Sequence, residues 1–454
     1  MLVSLTVTNF RSFFEEQTFS LVASKRINGA HEGHAVPIPG SDERVLRAAV
    51  IYGANGAGKS NLLKALRYTK IFAMHPRPKS GGTGREAFRF ADGPPTPSSF
   101  DLHFIADDKL YRFGFTVDDD RVIEEWLQQI SGNRERSLYT RKTDQHGKVD
   151  IKADGFKEVG KKLHALATVG GPPNQSFLAT IVTNLSAEDY GQELASIINW
   201  FSDDLTVVGP NDTFSALGNL LTKNTEFLHF AGEFLRSAST GIHRLNTISS
   251  EMPDSELRSV IPETLLTRTV EELDEDGTSF SLGDGTEVHL EKSDTHRAFR
   301  IRIEALHNDA NGKEIPLSLT EESDGTRRLL HLLPALYYLK AGRAVFFIDE
   351  IDRSMHPSLI IKFIEYFLEV CKAGRRQIIL TTHETNLLNL DLLRRDEIWF
   401  AEKNNQGATH LYSLTDFKVR KDLEVRKNYL EGRFGAIPFL GDLDQIIDGS
   451  HEAA

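Results

Sequence analysis

Eight consecutive residues, Gly53-Ala54-Asn55-Gly56-Ala57-Gly58-Lys59-Ser60, fit the spacing G-x-x-x-x-G-K-[ST]. A glycine-rich turn of this kind lets backbone N–H groups close around an anion, while the lysine reaches the β- and γ-phosphates and the serine hydroxyl helps to hold Mg²⁺. Far downstream, Ala344-Val345-Phe346-Phe347-Ile348-Asp349-Glu350 ends an apolar run in two acids. Carboxylates at the carboxyl end of a buried strand stand where open α/β sheets bind their ligands. Asp349 is therefore expected to support the Mg²⁺ shell, and Glu350 to orient and deprotonate an attacking water. A second apolar run, Gln377-Ile378-Ile379-Leu380-Thr381-Thr382, delivers His383 to its end, one strand beyond the acids and beside the γ-phosphate.

These groups need particular elements to carry them. Ala48-Ala49-Val50-Ile51-Tyr52 reads as a buried strand entering the phosphate loop, and Ser60 to Leu66 as a helix leaving it, whose N-terminal dipole favours phosphate. Thr320 to Arg328 opens a further helix that runs on through Leu333. Ser323 at its start is read in two ways: as a plain N-cap, or as a hydroxyl that grips a phosphate together with free N–H groups. Upstream, residues 1 to about 116 are strand-rich. Phe100–Ile105 and Leu110–Val117 alternate about a turn at Asp107-Asp108-Lys109 as a β-hairpin, and Val122–Ile130 is expected to pair with it. Between about residues 157 and 277 the apolar period becomes helical, so an insertion is expected there, without the sustained heptads of coiled-coil arms. Period-two segments return from Thr278 to His307 and are expected to rejoin the sheet. The division is thus 1–156, 157–277 and 278–454.

Composition narrows the class. A chain of 454 residues with 40% hydrophobic content can bury a large core and divide into two or three lobes. No run of about eighteen apolar residues occurs and the first residues alternate like a strand, so a soluble, cytoplasmic protein with no membrane segment is expected. The single cysteine, Cys371, excludes an internal disulfide and a cysteine metal cluster, and its neighbours suggest a buried thiol. A net charge of −12 argues against a broadly cationic surface for nucleic acid. The basic clusters Arg327-Arg328, Arg375-Arg376 and Lys418 to Arg426 are short and read as solvated helix ends.

Taken together, these residues resemble an ABC-type ATPase of the branch containing the SMC, Rad50, RecF and OLD proteins. Gly53 to Ser60 matches the Walker A motif, Glu322-Ser323-Asp324-Gly325-Thr326 the signature, Phe346 to Glu350 the Walker B, Ile351 to Pro357 the D-loop and His383 the switch histidine. Asn9-Phe10-Arg11-Ser12-Phe13 is similar to the turn that precedes the phosphate loop in that branch. The signature has Ser-Asp-Gly where transporters have Ser-Gly-Gly, and no glutamine is assigned to a Q-loop. OLD nucleases continue into a Toprim domain, for which no room is left here; Asp442 and Asp444 mimic its Asp-x-Asp but read as an acidic turn.

The closer resemblance is to AAA15-type ATPases, carried by Asp349-Glu350-Ile351-Asp352 with His356-Pro357 and by the tail from Tyr429 to Pro438. It implies an α/β fold: an ABC-type P-loop ATPase head with a mixed central sheet, an antiparallel β subdomain and a helical insertion. ATP and Mg²⁺ are the implied cofactors. Catalysis would fall to Glu350, His383 and Lys59, and metal binding to Ser60 and Asp349. Nucleotide contacts would come from Gly53, Asn55, Gly56, Gly58, Lys59, Ser60 and Asn61, and, from a second copy, Ser323, Gly325 and Asp352. Head-to-tail ATP dimers, which can extend into larger rings, are implied. So is a role as the ATPase subunit of an anti-phage system of the PARIS type, paired with a Toprim-like effector nuclease and answering to a phage-encoded trigger. The Septu type, with an HNH nuclease, is the neighbouring possibility. A RecF-like repair ATPase that binds DNA directly is the alternative from another class.

Overall fold

The computed structural model describes residues 1–437 except 28, 30, 79, 157–160, 272, 274–276, 283, 284, 293–296, 343, 371, 373 and 419–423. Cys371, Asp442, Asp444, Pro438 and part of the Lys418 to Arg426 cluster lie outside the described residues. The chain forms two compact units. The first comprises Met1–Pro210, Gly342–Ile351 and Cys371–Ala454, and the second Asn211–Ala341 and Asp352–Val370.

The first unit holds two sheets. One has six strands in the order Leu205–Val208, Ala344–Ile348, Arg376–Thr381, Ala48–Tyr52, Ile398–Lys403 and Thr409–Ser413. All neighbours are parallel except the last pair, so the sheet is mixed. Two of its inner strands, Ala48–Tyr52 and Ala344–Ile348, are buried along their whole length, as an apolar run without alternation requires. The other sheet is antiparallel, with seven strands: Val149–Lys152, Arg134–Thr143, Val122–Ser131, Lys109–Val117, Ser98–Ala106, Leu2–Thr8 and Gln17–Ser20. Asp107 and Asp108 both take positive φ, 44° and 59°, which gives the turn of the expected hairpin the twist its strands need.

The helix Lys59–Met74 belongs to one core with both sheets: Phe72 stacks on Phe115 at 4.4 Å, and Leu62 and Leu66 are buried in the same cluster as Ile51 and Phe100. Gln377, fully buried, ties the two sheets together at the starts of two inner strands. Its side-chain oxygen accepts Leu2 N–H at 2.8 Å and its amide donates to the carbonyls of Leu2 and Leu46 at 2.9 and 2.7 Å. The helix Phe177–Asn184 is anchored by Glu125, a fully buried carboxylate that accepts Phe177 N–H at 2.8 Å, Ser176 Oγ–H at 2.8 Å and Tyr139 O–H at 2.6 Å. Burial and this neighbouring carboxylate raise the Tyr139 phenol well above its ordinary range.

The second unit contains an antiparallel sheet in the order Ile242–Met252, Arg297–Asn308, Thr286–Glu291 and Thr278–Ser281, with Glu314–Ser318 also paired to Arg297–Asn308. This corrects the expectation that the period-two segments after Thr278 rejoin the nucleotide-binding sheet. Both edges of Arg297–Asn308 are taken by local partners, so these strands close a sheet of their own. The stretch expected to be a helical insertion is also divided. Lys161–Val169, Phe177–Asn184 and Ala187–Asn199 are helices of the first unit, whereas Leu217–Lys223 and Thr225–Ser237 belong to the second. The same stretch contains two strands, Leu205–Val208 and Ile242–Met252. The latter buries only Ile242, Leu245 and Met252, which leaves no alternation for sequence reading to detect. Among the described residues the longest helix, Asp324–Ala341, has 18 residues, and no helix is long and apolar enough to cross a membrane.

Candidate nucleotide-binding site

In the first unit, the loop after Ala48–Tyr52 turns at once into the helix that begins at Lys59. Its glycines are dictated by close approach and by backbone angle. A Cβ on Gly53 would overlap the Ala401 carbonyl oxygen, and one on Gly58, at φ 107°, would enter the Thr409 side chain. Gly56, at φ 76°, faces open space, so its glycine answers to the backbone alone. Asn55 and Gly56 are exposed at the tip, beside a pocket of about 610 Å³ shared with Glu402, Lys403, His410 and Ile437.

Lys59 is buried, and its ammonium donates to the carbonyls of Gly53 at 2.7 Å and Ala54 at 3.2 Å. It also lies 3.1 Å from His383 Nε2. An ammonium only donates, so Nε2 accepts and the imidazole carries its proton on Nδ1. The phosphate-loop lysine and the expected switch histidine are thereby brought together, although 324 residues separate them.

Asp349 is 1% exposed and its N–H is held by the Val208 carbonyl at 2.8 Å. Its Oδ1 accepts the hydroxyl of Thr381. Glu350, half-buried, has φ 48°, an uncommon left-handed conformation for a residue with a long side chain. Its N–H donates to Thr381 Oγ1 at 2.8 Å, and Ile351 N–H to the Thr381 carbonyl at 3.1 Å. Ser60 is half-buried in the first turn of its helix. A serine hydroxyl and a carboxylate are hard oxygen donors, the set that magnesium takes when substrate phosphates and water complete its shell. Among the described residues no group of three or more His, Cys, Asp or Glu could hold a metal ion alone. Ser60 and Asp349 have the donor chemistry that a magnesium ion accompanying a nucleotide would take.

Two residues that sequence reading passed over brace the loop. Thr409 Oγ1 lies 2.8 Å from the Ala57 carbonyl and 2.7 Å from Ser12 Oγ, which in turn accepts the Asn61 amide at 2.7 Å. Each hydroxyl has one proton, so the chain runs in one direction: Asn61 to Ser12, Ser12 to Thr409, Thr409 to the Ala57 carbonyl. The expected nucleotide contact Asn61 is thus part of the loop's bracing. Ser12 was visible only as part of a turn motif, and Thr409, an ordinary strand residue in sequence, carried no signal.

The second unit carries the remaining expected residues. Ser323 is exposed immediately before the helix Asp324–Ala341 and caps it, accepting Thr326 N–H at 3.1 Å. A Cβ on Gly325 would overlap the Ser354 carbonyl oxygen, which explains the glycine. Ser323, Gly325 and Thr326 share an open groove of about 600 Å³ with Ser354, His356 and Lys362. Asp352, half-buried, opens the turn that leads to them, its carbonyl accepting Met355 N–H at 3.2 Å. Two turns into the Ser323 helix, His331 Nδ1 accepts Phe214 N–H at 3.2 Å. Burial, aided by Arg328 and Arg327, pushes this imidazole down to about 4.

A phosphate loop between a buried parallel strand and a helix, with a histidine delivered by the adjacent strand and an acidic pair by the strand beyond it, defines an α/β P-loop ATPase head of the ABC type. The chain belongs to the family described as AAA domain, putative AbiEii toxin, Type IV TA system, whose model matches residues 48–168 and 225–389, well over half of its length. Similar solved structures include the SmcHead bound to the C-winged helix domain of ScpA, with 14% identity, 91% of this chain and 97% of that chain covered, and a TM-score of 0.41. The SMC head domain from Thermotoga maritima has 13% identity, 91% and 98% coverage and a TM-score of 0.37. The Smc head domain with an extended coiled coil bound to the C-terminal domain of ScpA, derived from Pyrococcus furiosus, has 12% identity, 91% and 96% coverage and a TM-score of 0.39. No curated protein matches the chain.

Proposed function

We propose that this protein hydrolyses ATP in a composite site between two copies of itself, and that it is the sensor and scaffold of an anti-phage system that controls a separate effector nuclease. The observation that carries the shared site is the division of its chemistry. One compact unit holds the phosphate loop, Lys59, Asp349, Glu350 and His383, while the other holds the Ser323 groove with Gly325 and Asp352. A γ-phosphate held by the loop of one copy and by Ser323 of another joins the two more tightly than ADP could, because a ligand that binds the closed pair best shifts the equilibrium toward it. Lys59 neutralises phosphate charge, Glu350 takes the proton of the attacking water, and His383 holds the γ-phosphate end. The defence reading is supported by the family's description as a putative AbiEii toxin of a Type IV toxin–antitoxin system, and by the tail from Tyr429 that resembles anti-phage ATPases. A Toprim-like nuclease is the favoured effector, with a phage-encoded protein as trigger.

The test has two parts. Glu350→Gln should lower ATP turnover by about 10²- to 10⁴-fold and accumulate an ATP-bound assembly in analytical ultracentrifugation, and Ser323→Arg should abolish that assembly while leaving nucleotide binding to the loop intact. Assembly that ignores both ATP and Ser323→Arg would refute the composite site. For the defence role, the chain is co-expressed with the product of the neighbouring reading frame; failure of the two to co-purify with or without ATP, together with unchanged phage plating, would refute effector control.

A further inference from the structure

We infer that Thr381 is a positioning residue for the acid pair: one buried hydroxyl sets the orientation of Asp349 and the backbone turn of Glu350 from the strand that delivers His383. The inference rests on the reading of Glu350 as the base. Thr381 is the last residue of Arg376–Thr381 and is 0% exposed. Its hydroxyl donates its only proton to Asp349 Oδ1 and accepts Glu350 N–H at 2.8 Å, while its carbonyl accepts Ile351 N–H at 3.1 Å. Three consecutive residues at the end of the neighbouring strand are therefore fixed by one side chain and its carbonyl.

The consequence is geometric. Glu350 sits at φ 48°, a conformation that a long side chain leaves unless its backbone is held, and the hold on its N–H is this hydroxyl. The donated proton also fixes one oxygen of Asp349 and so restricts how its carboxylate can turn. His383 lies two residues beyond Thr381 on the same strand end. The acids and the histidine, brought from different strands, thus share a reference point.

Valine matches threonine in shape and lacks the hydroxyl, whereas serine keeps the hydroxyl, and the Ile351 bond to the main-chain carbonyl survives in both. Thr381→Val should lower kcat by about 10- to 100-fold, the scale of a small misplacement of a reacting group, with KM for ATP changed less than about threefold. Thr381→Ser should recover most of the loss, which a purely packing role would not produce. Independently of turnover, Thr381→Val should prolong the ATP-bound assembly seen by ultracentrifugation, as Glu350→Gln does. If Thr381→Val does not fold, Thr381→Ala, which also lacks the hydroxyl, takes its place. Full turnover by the valine or alanine variant beside an inactive Glu350→Gln would overturn this inference and leave the base assignment standing. Full turnover by Glu350→Gln would overturn both.

Discussion

Gly56 and Gly58 occupy the same loop under different constraints. At Gly58 a side chain meets Thr409 as well as an unfavourable φ of 107°, whereas at Gly56 only the φ of 76° opposes it. Gly56→Ala should therefore cost about 1–2 kcal/mol of local conformation and leave a loop that still binds. Gly58→Ala must also displace a hydroxyl that holds the Ala57 carbonyl, and should abolish measurable binding of a fluorescent ATP analogue. Equal affinities for the two variants would contradict this account. At this scale the sequence was most legible where chemistry fixes spacing: the Walker-type residues, the acid pair and His383 all stood out as candidates, and Lys59 and His383 do lie within hydrogen-bond reach of each other. Thr381, Ser12 and Thr409 were not, because a hydroxyl that braces a neighbour across the fold has the same sequence context as one that faces water.

Elements carry the next level. Apolar runs without alternation announced the buried strands Ala48–Tyr52, Ala344–Ile348 and Arg376–Thr381, and alternation announced the hairpin, since burial on one or both faces writes itself directly into residue choice. Ile242–Met252 was illegible because it is mostly exposed and is held by its pairing with Arg297–Asn308. The helix Asp324–Ala341 yields a pH prediction. His331 titrates near 4 when folded and near 6.5 when unfolded, so the unfolded chain binds the extra proton between those values. Its contribution is fully present above about pH 6.5, declines as pH falls through that window, and is lost below about 4, a change on the order of 3 kcal/mol. Urea unfolding followed from pH 7 to pH 4.5 should show this slope, and His331→Gln should flatten it; an unchanged slope would reject the assignment to His331.

The whole molecule is organised differently from its sequence. The phosphate loop, the acid pair and the histidine come from three separated stretches that meet in one sheet, and the first unit is built from three chain segments between which the second is threaded in two. Sequence periodicity reports local burial, so it does not disclose which distant segments share a core; the misplaced sheet after Thr278 has that cause. The bracing of the phosphate loop by Ser12 and Thr409, residues separated by 397 positions, has a consequence in time. During synthesis from the N-terminus, the motif itself emerges early, but its brace, the strand bearing the acids and the strand bearing His383 all emerge late. A nascent chain halted before Thr409 should therefore expose the complete phosphate-loop sequence and yet fail to retain ATP, whereas one released beyond Ala436 should retain it. Ribosome-bound chains arrested at graded lengths and probed with a photo-crosslinking ATP analogue would show labelling begin only after Thr409. The protein's switch would then be inert until its brace has been made.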